Sequence, residues 1–122
     1  MIHIRRAYEP TVSDGSRTIL VDRLWPRGVR KSALKLDAWL KDVAPSTELR
    51  QWFGHDPEKW PEFRRRYTRE LEHNPVALTP LLVAAAAGDV TLLYSAHDAE
   101  HNQAVVLKEF LDAMMTDQVG HR

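Results

Sequence analysis

The chain has 122 residues, of which 43% are hydrophobic and 28% charged, and this ordinary globular usage excludes the composition of a disordered chain. Its 17 lysines and arginines balance 17 aspartates and glutamates, so no overall positive field gathers nucleic acid and any charge-driven binding must be local. The absence of cysteine excludes disulfides, thiolate metal sites and cysteine nucleophiles.

The length predicts one domain that spans residues 1–122, and the lack of cysteine, of a signal core and of a membrane-length apolar run predicts a cytoplasmic protein. The opening residues, MIHIRRAYEP, contain no apolar signal core. The longest apolar run, Leu81 to Ala87, is far shorter than the ~20 residues of a membrane span. We therefore expect no membrane partner, whereas the composition leaves the cofactor and the oligomeric state open.

Three apolar segments predict strands. The first covers Ile2 to Tyr8 and is followed by a loop from Glu9 to Ser16. The second, Thr18 to Trp25, is apolar until Asp22, which favours a strand that is covered on both faces and is stopped by the proline and glycine that follow. The third covers Val90 to Ala96.

Helix signals separate these strands. Ser46 can cap a helix through Phe53, and Asp56 followed by proline starts another, with the apolar stripe Trp60, Phe63, Tyr67 and Leu71. Arg66 and Glu70 on that second helix are spaced as an i, i+4 pair. A third helix begins at Asn74–Pro75 or Thr79–Pro80 and ends near Gly88 in the left-handed position, and a last one carries Ala104, Leu107, Phe110, Leu111 and Met114.

Residues 35–43 fit a helix stripe and a strand alternation equally well, so their type stays open. Buried strands that alternate with helices predict an α/β fold. We expect a single small domain with a short, mainly parallel sheet of three or four strands flanked by helices.

The stretch VDRLWPRG predicts an anion site where the second strand ends. Ligands collect beyond the carboxyl ends of parallel strands. Arg23 and Arg27 offer planar forks of donors for carboxylate or phosphate, and Trp25 could stack on a planar ligand such as a nucleotide. Asp22 would orient an arginine or serve as a base. The alternative is structural: Asp22 forms an internal salt bridge with an arginine and Trp25 fills the core.

The stretch SAHDAEHN follows the third strand and holds the second polar cluster. His101 can carry a proton near neutral pH, so His101 and Asp22 are the catalytic candidates, while Asp98 and Asn102 are predicted to bind the ligand. His97 and His101 could share a metal only if the helix began at His97. Asp98 fits the N-cap better, and no metal site is predicted. His55, in the loop before Asp56, is a third ligand-binding candidate.

Three stretches, VDRLWPRG, WLKDVAPSTELRQWFGHDPEKWPEFRRRY and VTLLYSAHDAEHNQAVVL, resemble the YeaO-like branch of the bacterial domain-of-unknown-function 488 family. The resemblance covers Ile2 to Leu111 and implies a small bacterial cytosolic α/β protein. The family's recurrent positions correspond here to Asp22, Arg23, Trp25, Pro26, Arg27, Gly28, Lys41, Ala44, Pro45, Ser46, Leu49, Arg50, Trp52, Phe53, His55, Tyr94, Asp98, His101 and Asn102.

Two function classes follow from these residues, besides a purely structural role for the polar motifs. The first is an enzyme or ligand-binding domain with a small anionic ligand at the carboxyl edge of the sheet. The second is a regulatory or nucleic-acid-binding module that uses Arg64, Arg65, Arg66 and Arg69, although the interleaved Glu62 and Glu70 favour a solvated helix face.

Overall fold

The computed structural model describes residues 1–9 and 15–120, with side chains through residue 116. Most of the predicted loop from Glu9 to Ser16 therefore lies outside the described residues. The strands are β1 (Ile2–Arg6), β2 (Arg17–Leu20), β3 (Ala38–Trp39) and β4 (Val90–Tyr94). The helices are α1 (Thr47–Phe53), α2 (Trp60–Glu72), α3 (Pro75–Ala87) and α4 (Gln103–Gly120).

The strands form one parallel sheet in the order β1-β4-β2-β3. The last strand in sequence is central, because Ile4 and Ile19 both pair with Leu92 from opposite sides. The open segment 35–43 supplies the short edge strand β3 and then a single 3₁₀ turn, Lys41–Val43. The expected α/β fold with a short parallel sheet is confirmed.

The two faces of the sheet are covered differently. One face, with Ile19 and Leu92, packs against side chains from all four helices and forms the main core. The other face, with Leu20 and Leu93, packs against the irregular segment that carries Trp25 and Leu34. Since neighbouring strand residues point to opposite faces, this division follows from the strand register. No helix in the described part of the chain is long and apolar enough to cross a membrane.

Local signals explain the start of α1 and its contact with α2. Ser46 caps α1 by accepting from the amide of Leu49 at 3.2 Å, as predicted. The Ser46 hydroxyl also donates to Glu70 at 2.6 Å. The predicted pair of Arg66 with Glu70 is therefore wrong, because Glu70 holds the start of α1 while Arg66 pairs with Glu62 at 2.7 Å.

Several predicted boundaries need correction, and β1 and β4 each end two residues earlier than expected. Strand β2 ends at Leu20, so Asp22 and Trp25 lie in the following loop and strand alternation does not set their directions. Helix α3 begins at Pro75, but Gly88 after it has φ 167°, which is extended and not left-handed. Helix α4 begins at Gln103 rather than next to Asp98.

Candidate functional site

A cavity of about 130 Å³ opens at the carboxyl edge of the sheet, between the ends of β2 and β4 and the first turn of α4. Its polar or charged lining residues are Asp22, Arg23, Arg50, His55, Ser95, His101, Asn102 and Gln103. Its apolar lining includes Phe53 and Phe63, which stack with ring centroids 4.2 Å apart. The cavity thus combines an aromatic wall with a polar rim that carries two arginines and one carboxylate.

Asp22 supplies the carboxylate of the cavity. Its Oδ2 accepts from the Ser95 amide at 2.8 Å, and its Oδ1 accepts from the side-chain amide of Gln103. Burial raises the pKa of the Asp22 carboxyl above its ordinary value of 3.8, while the hydrogen bonds and the nearby His55 act in the opposite direction. Since both oxygens are already bonded, Asp22 ties the loop after β2 to the start of α4.

Arg23 and Arg50 bring two permanent positive charges to the same cavity. The Arg23 guanidinium donates to the carbonyls of Ala44 and Pro45, each at 3.2 Å. It does not form the alternative internal salt bridge with Asp22, and within the described residues its charge has no carboxylate partner. These two bonds use two of the five N–H donors of the guanidinium. Arg50 is exposed on α1.

His55 borders the cavity in an uncommon backbone conformation. It has φ 59°, the left-handed region that disfavours residues with a Cβ atom, and it follows Gly54, whose φ is 54°. The chain must turn sharply here because the Asp56 amide reaches back to the Phe53 carbonyl at 3.0 Å. Strained residues of this kind cluster at functional sites.

His101 is oriented by two neighbours. Its Nδ1 lies 2.8 Å from Asp98 Oδ2, and its ring meets Trp60 edge-on at 5.2 Å between centroids. Hydrogen bonds from the Glu100 amide and from His101 hold the pKa of Asp98 below its ordinary value. Because Nδ1 is occupied, Nε2 is the nitrogen that His101 can offer to a ligand.

Asn102 is the N-cap of α4, the place predicted for Asp98. Its Oδ1 accepts from the amides of Ala104 at 3.0 Å and Val105 at 3.3 Å. Its Nδ2 donates to the Asp98 carbonyl at 2.9 Å. Asp98 instead closes its own turn, through the amides of Glu100 and His101. Asn102 is 2% exposed, and all of these bonds are structural.

Trp25, Arg27 and Asp98 do not border the cavity. Trp25 packs edge-on against Trp39 at 5.3 Å between centroids, and its Nε1 donates to the Val29 carbonyl at 2.7 Å. This is the core-filling alternative of the sequence interpretation. Arg27 is exposed on the surface beyond Trp25.

Sequence reasoning missed Arg50 and Gln103 as cavity residues. Arg50 is among the positions that the family resemblance marks, yet it lies on an ordinary exposed helix face. Gln103 is the first residue of α4, so its place depended on where that helix begins. Among the described residues, no group of three or more histidines, aspartates and glutamates could hold a metal ion.

The sequence matches the model of a protein family described as "Inactive DUF488-N3 subclade" over residues 1–121. The chain belongs to this family. The Escherichia coli protein YeaO, named as uncharacterized, is 40% identical over 113 residues, which cover 93% of this chain and 98% of YeaO. The uncharacterized Mycobacterium tuberculosis protein Rv3073c is 39% identical over 111 residues, covering 91% of this chain and 93% of that protein. The comparison with solved structures finds no match. The DUF488 resemblance drawn from the three motifs is confirmed.

Proposed function

We propose that this chain is a binding domain for a small organic anion with an apolar body, held in the cavity at the carboxyl edge of the sheet. One observation carries the proposal: two arginines and two histidines line the cavity, whereas Asp22 is the carboxylate that faces them. Burial favours the neutral form of that carboxyl. The two permanent guanidinium charges outnumber the one carboxylate, which gives a positive potential that attracts anions, and the rings of Phe53 and Phe63 suit a flat apolar body.

The size of the cavity limits the ligand. An apolar cavity of about 150 Å³ holds benzene, and pockets for drug-sized molecules begin near 300 Å³. The cavity of about 130 Å³ therefore suits a small anion built on about one aromatic ring, such as an aromatic monocarboxylate. A whole nucleotide does not fit inside it, although its phosphate group would.

Two observations favour binding over turnover. The family model that the chain matches describes its members as an inactive subclade. The catalytic candidates are also engaged, since both oxygens of Asp22 accept hydrogen bonds and Nδ1 of His101 is held by Asp98. A base needs a free oxygen or nitrogen, and of these two candidates His101 alone keeps one, its Nε2.

The nucleic-acid alternative on α2 has little support, because three of its four arginines form ion pairs with neighbouring carboxylates. Arg64 pairs with Glu109, and Arg65 and Arg66 both pair with Glu62. These ion pairs would have to break before the same guanidinium groups could bind phosphates.

A thermal-shift comparison tests the proposal with benzoate and phenyl phosphate as anions and benzamide as the neutral counterpart. A ligand that binds the native state at about a hundred times its Kd raises the free energy of unfolding by about 2.7 kcal/mol. We expect the anions to raise the melting temperature and benzamide to leave it unchanged.

Two single-arginine variants locate the effect. Arg50→Ala should remove the stabilisation by benzoate, because it deletes a charge from the cavity rim. Arg27→Ala deletes the same charge from an exposed residue outside the cavity and should retain it. Equal loss in both variants, or no stabilisation by either anion, would overturn the proposal.

A further inference from the structure

The segment between Trp25 and Asp37 carries an unusual concentration of positive charge. It contains Arg27, Arg30, Lys31 and Lys35 and no aspartate or glutamate, within a chain whose formal net charge is zero. All four side chains are exposed. We call these four residues the basic loop.

The charges of the basic loop are not neutralised within the described part of the chain. None of its four side chains has a carboxylate partner there, in contrast to Arg64, Arg65 and Arg66 of α2, which are paired with Glu62 and Glu109. The carboxylate of Glu9 borders the same surface without forming such a pair. Four unpaired cations on one short segment create a strong local field even in a neutral protein.

The backbone that carries these charges is fixed to the sheet. The Tyr8 hydroxyl donates to the Arg27 carbonyl at 2.8 Å, and the Trp25 indole donates to the Val29 carbonyl at 2.7 Å. Leu34 packs against the cluster of Leu20 and Leu93. The cations therefore extend from a fixed backbone, so binding a ligand costs little backbone conformational entropy.

An exposed aromatic ring lies beside the cations. Tyr8 is 41% exposed, and the Arg6 guanidinium lies 4.4 Å from its ring centroid. Tyr8, Val29 and Arg30 line a shallow depression between β1 and the loop. Cations interleaved with an exposed aromatic ring are typical of surfaces that bind nucleic-acid strands.

We propose that the basic loop binds the phosphate backbone of a nucleic acid, independently of base sequence. Its regular structure is one 3₁₀ turn, Lys31–Ala33, so it offers no helix to enter a major groove and read base edges. A membrane surface is less suitable, because the apolar residues Leu34 and Leu36 pack against the sheet and are not offered to lipid.

Fluorescence anisotropy with fluorescein-labelled oligonucleotides of mixed sequence, single-stranded and duplex, tests this proposal across a series of KCl concentrations. Each phosphate contact contributes about 0.7 to 0.9 to the slope of log K against log salt, so four contacts predict a slope of about −3. Anionic vesicles that contain phosphatidylserine serve as the competing surface.

The decisive comparison uses two double variants with the same loss of charge. Arg30→Ala with Lys31→Ala should flatten the slope by about 1.4 to 1.8 units, since two contacts are lost. Arg64→Ala with Arg65→Ala should leave it unchanged, and so should the cavity variant Arg50→Ala. The proposal is overturned by equal weakening in both double variants, by no oligonucleotide binding at low salt, or by binding to vesicles alone.

Discussion

Asn102 offers the sharpest test of how the site is built, because it borders the cavity and yet holds α4 in place. Replacing Asn102 by alanine removes the cap of α4 and leaves the amides of Ala104 and Val105 without their acceptor. Loss of an N-cap costs ~1 kcal/mol in the free energy of unfolding. Loss of the bond to the Asp98 carbonyl adds ~1 kcal/mol.

The position is 2% exposed, so the small void left by Asn102→Ala adds to these two terms. We therefore expect Asn102→Ala to lower the free energy of unfolding by about 2–3 kcal/mol. For a domain of this length that corresponds to a fall in melting temperature of roughly 8–15 °C. Urea unfolding followed by tryptophan fluorescence measures the change, since the chain has 4 tryptophans.

Asn102→Ser is the matched control because serine caps helices about as well as asparagine. It should recover ~1 kcal/mol relative to Asn102→Ala while still lacking the bond to Asp98. A serine variant no more stable than the alanine variant would refute the capping role. So would an alanine variant that matches the wild type in stability but no longer binds the anion.

Three further variants test other parts of the structure. Tyr67→Phe should cost about 1–3 kcal/mol because it leaves the Val43 carbonyl without its donor, and urea unfolding equal to the wild type would contradict this. His55→Gly should be more stable than His55→Ala by ~1 kcal/mol, because both variants lack the ring and only glycine adopts φ 59° without strain. Equal melting temperatures of the two variants would argue against backbone strain at this position. Because burial raises the pKa of Asp22, the folded state binds more protons than the unfolded state above pH 3.8. The stability of the wild type relative to Asp22→Asn should therefore fall as the pH rises from 3.8. A difference in melting temperature that stays constant across that range would contradict this prediction.

The sheet and the long helices were predictable from the sequence because burial leaves a local pattern there. Val90–Tyr94 is buried at every residue, as an apolar run in a central parallel strand should be. Phe63, Tyr67 and Leu71 of α2 are buried on one face, as their helical spacing indicates. In both cases a single element determines the pattern.

The boundaries at the site were not predictable in the same way, because they depend on contacts between distant segments. Val21 is buried and still donates to the Leu93 carbonyl, so the apolar run extends past the end of β2. Asp98 and Asn102 are both good N-cap residues, and the sequence does not decide which of them starts α4. In the structure Asn102 caps α4, and Asp98 closes the turn before it.

The division of the first motif between two faces of the sheet has a similar cause. Asp22 and Arg23 border the cavity, whereas the bend at Arg23 and Leu24 carries Trp25 to the opposite face against Trp39. No periodic pattern in VDRLWPRG indicates that reversal. His55, His101 and Asn102 reach the cavity because loops and helix starts converge at the carboxyl edge of a parallel sheet.

The most direct test of the proposed anion site is an amide chemical-shift titration of the ¹⁵N-labelled protein with benzoate. We predict saturable shifts at the amides around the cavity, above all at Ser95 and Gln103, and smaller shifts elsewhere. In the Arg50→Ala variant, addition of benzoate should not shift the resonances of these amides. Shifts confined to residues 27–35, or changes that do not saturate at the cavity amides, would contradict the assignment of this cavity as the anion site.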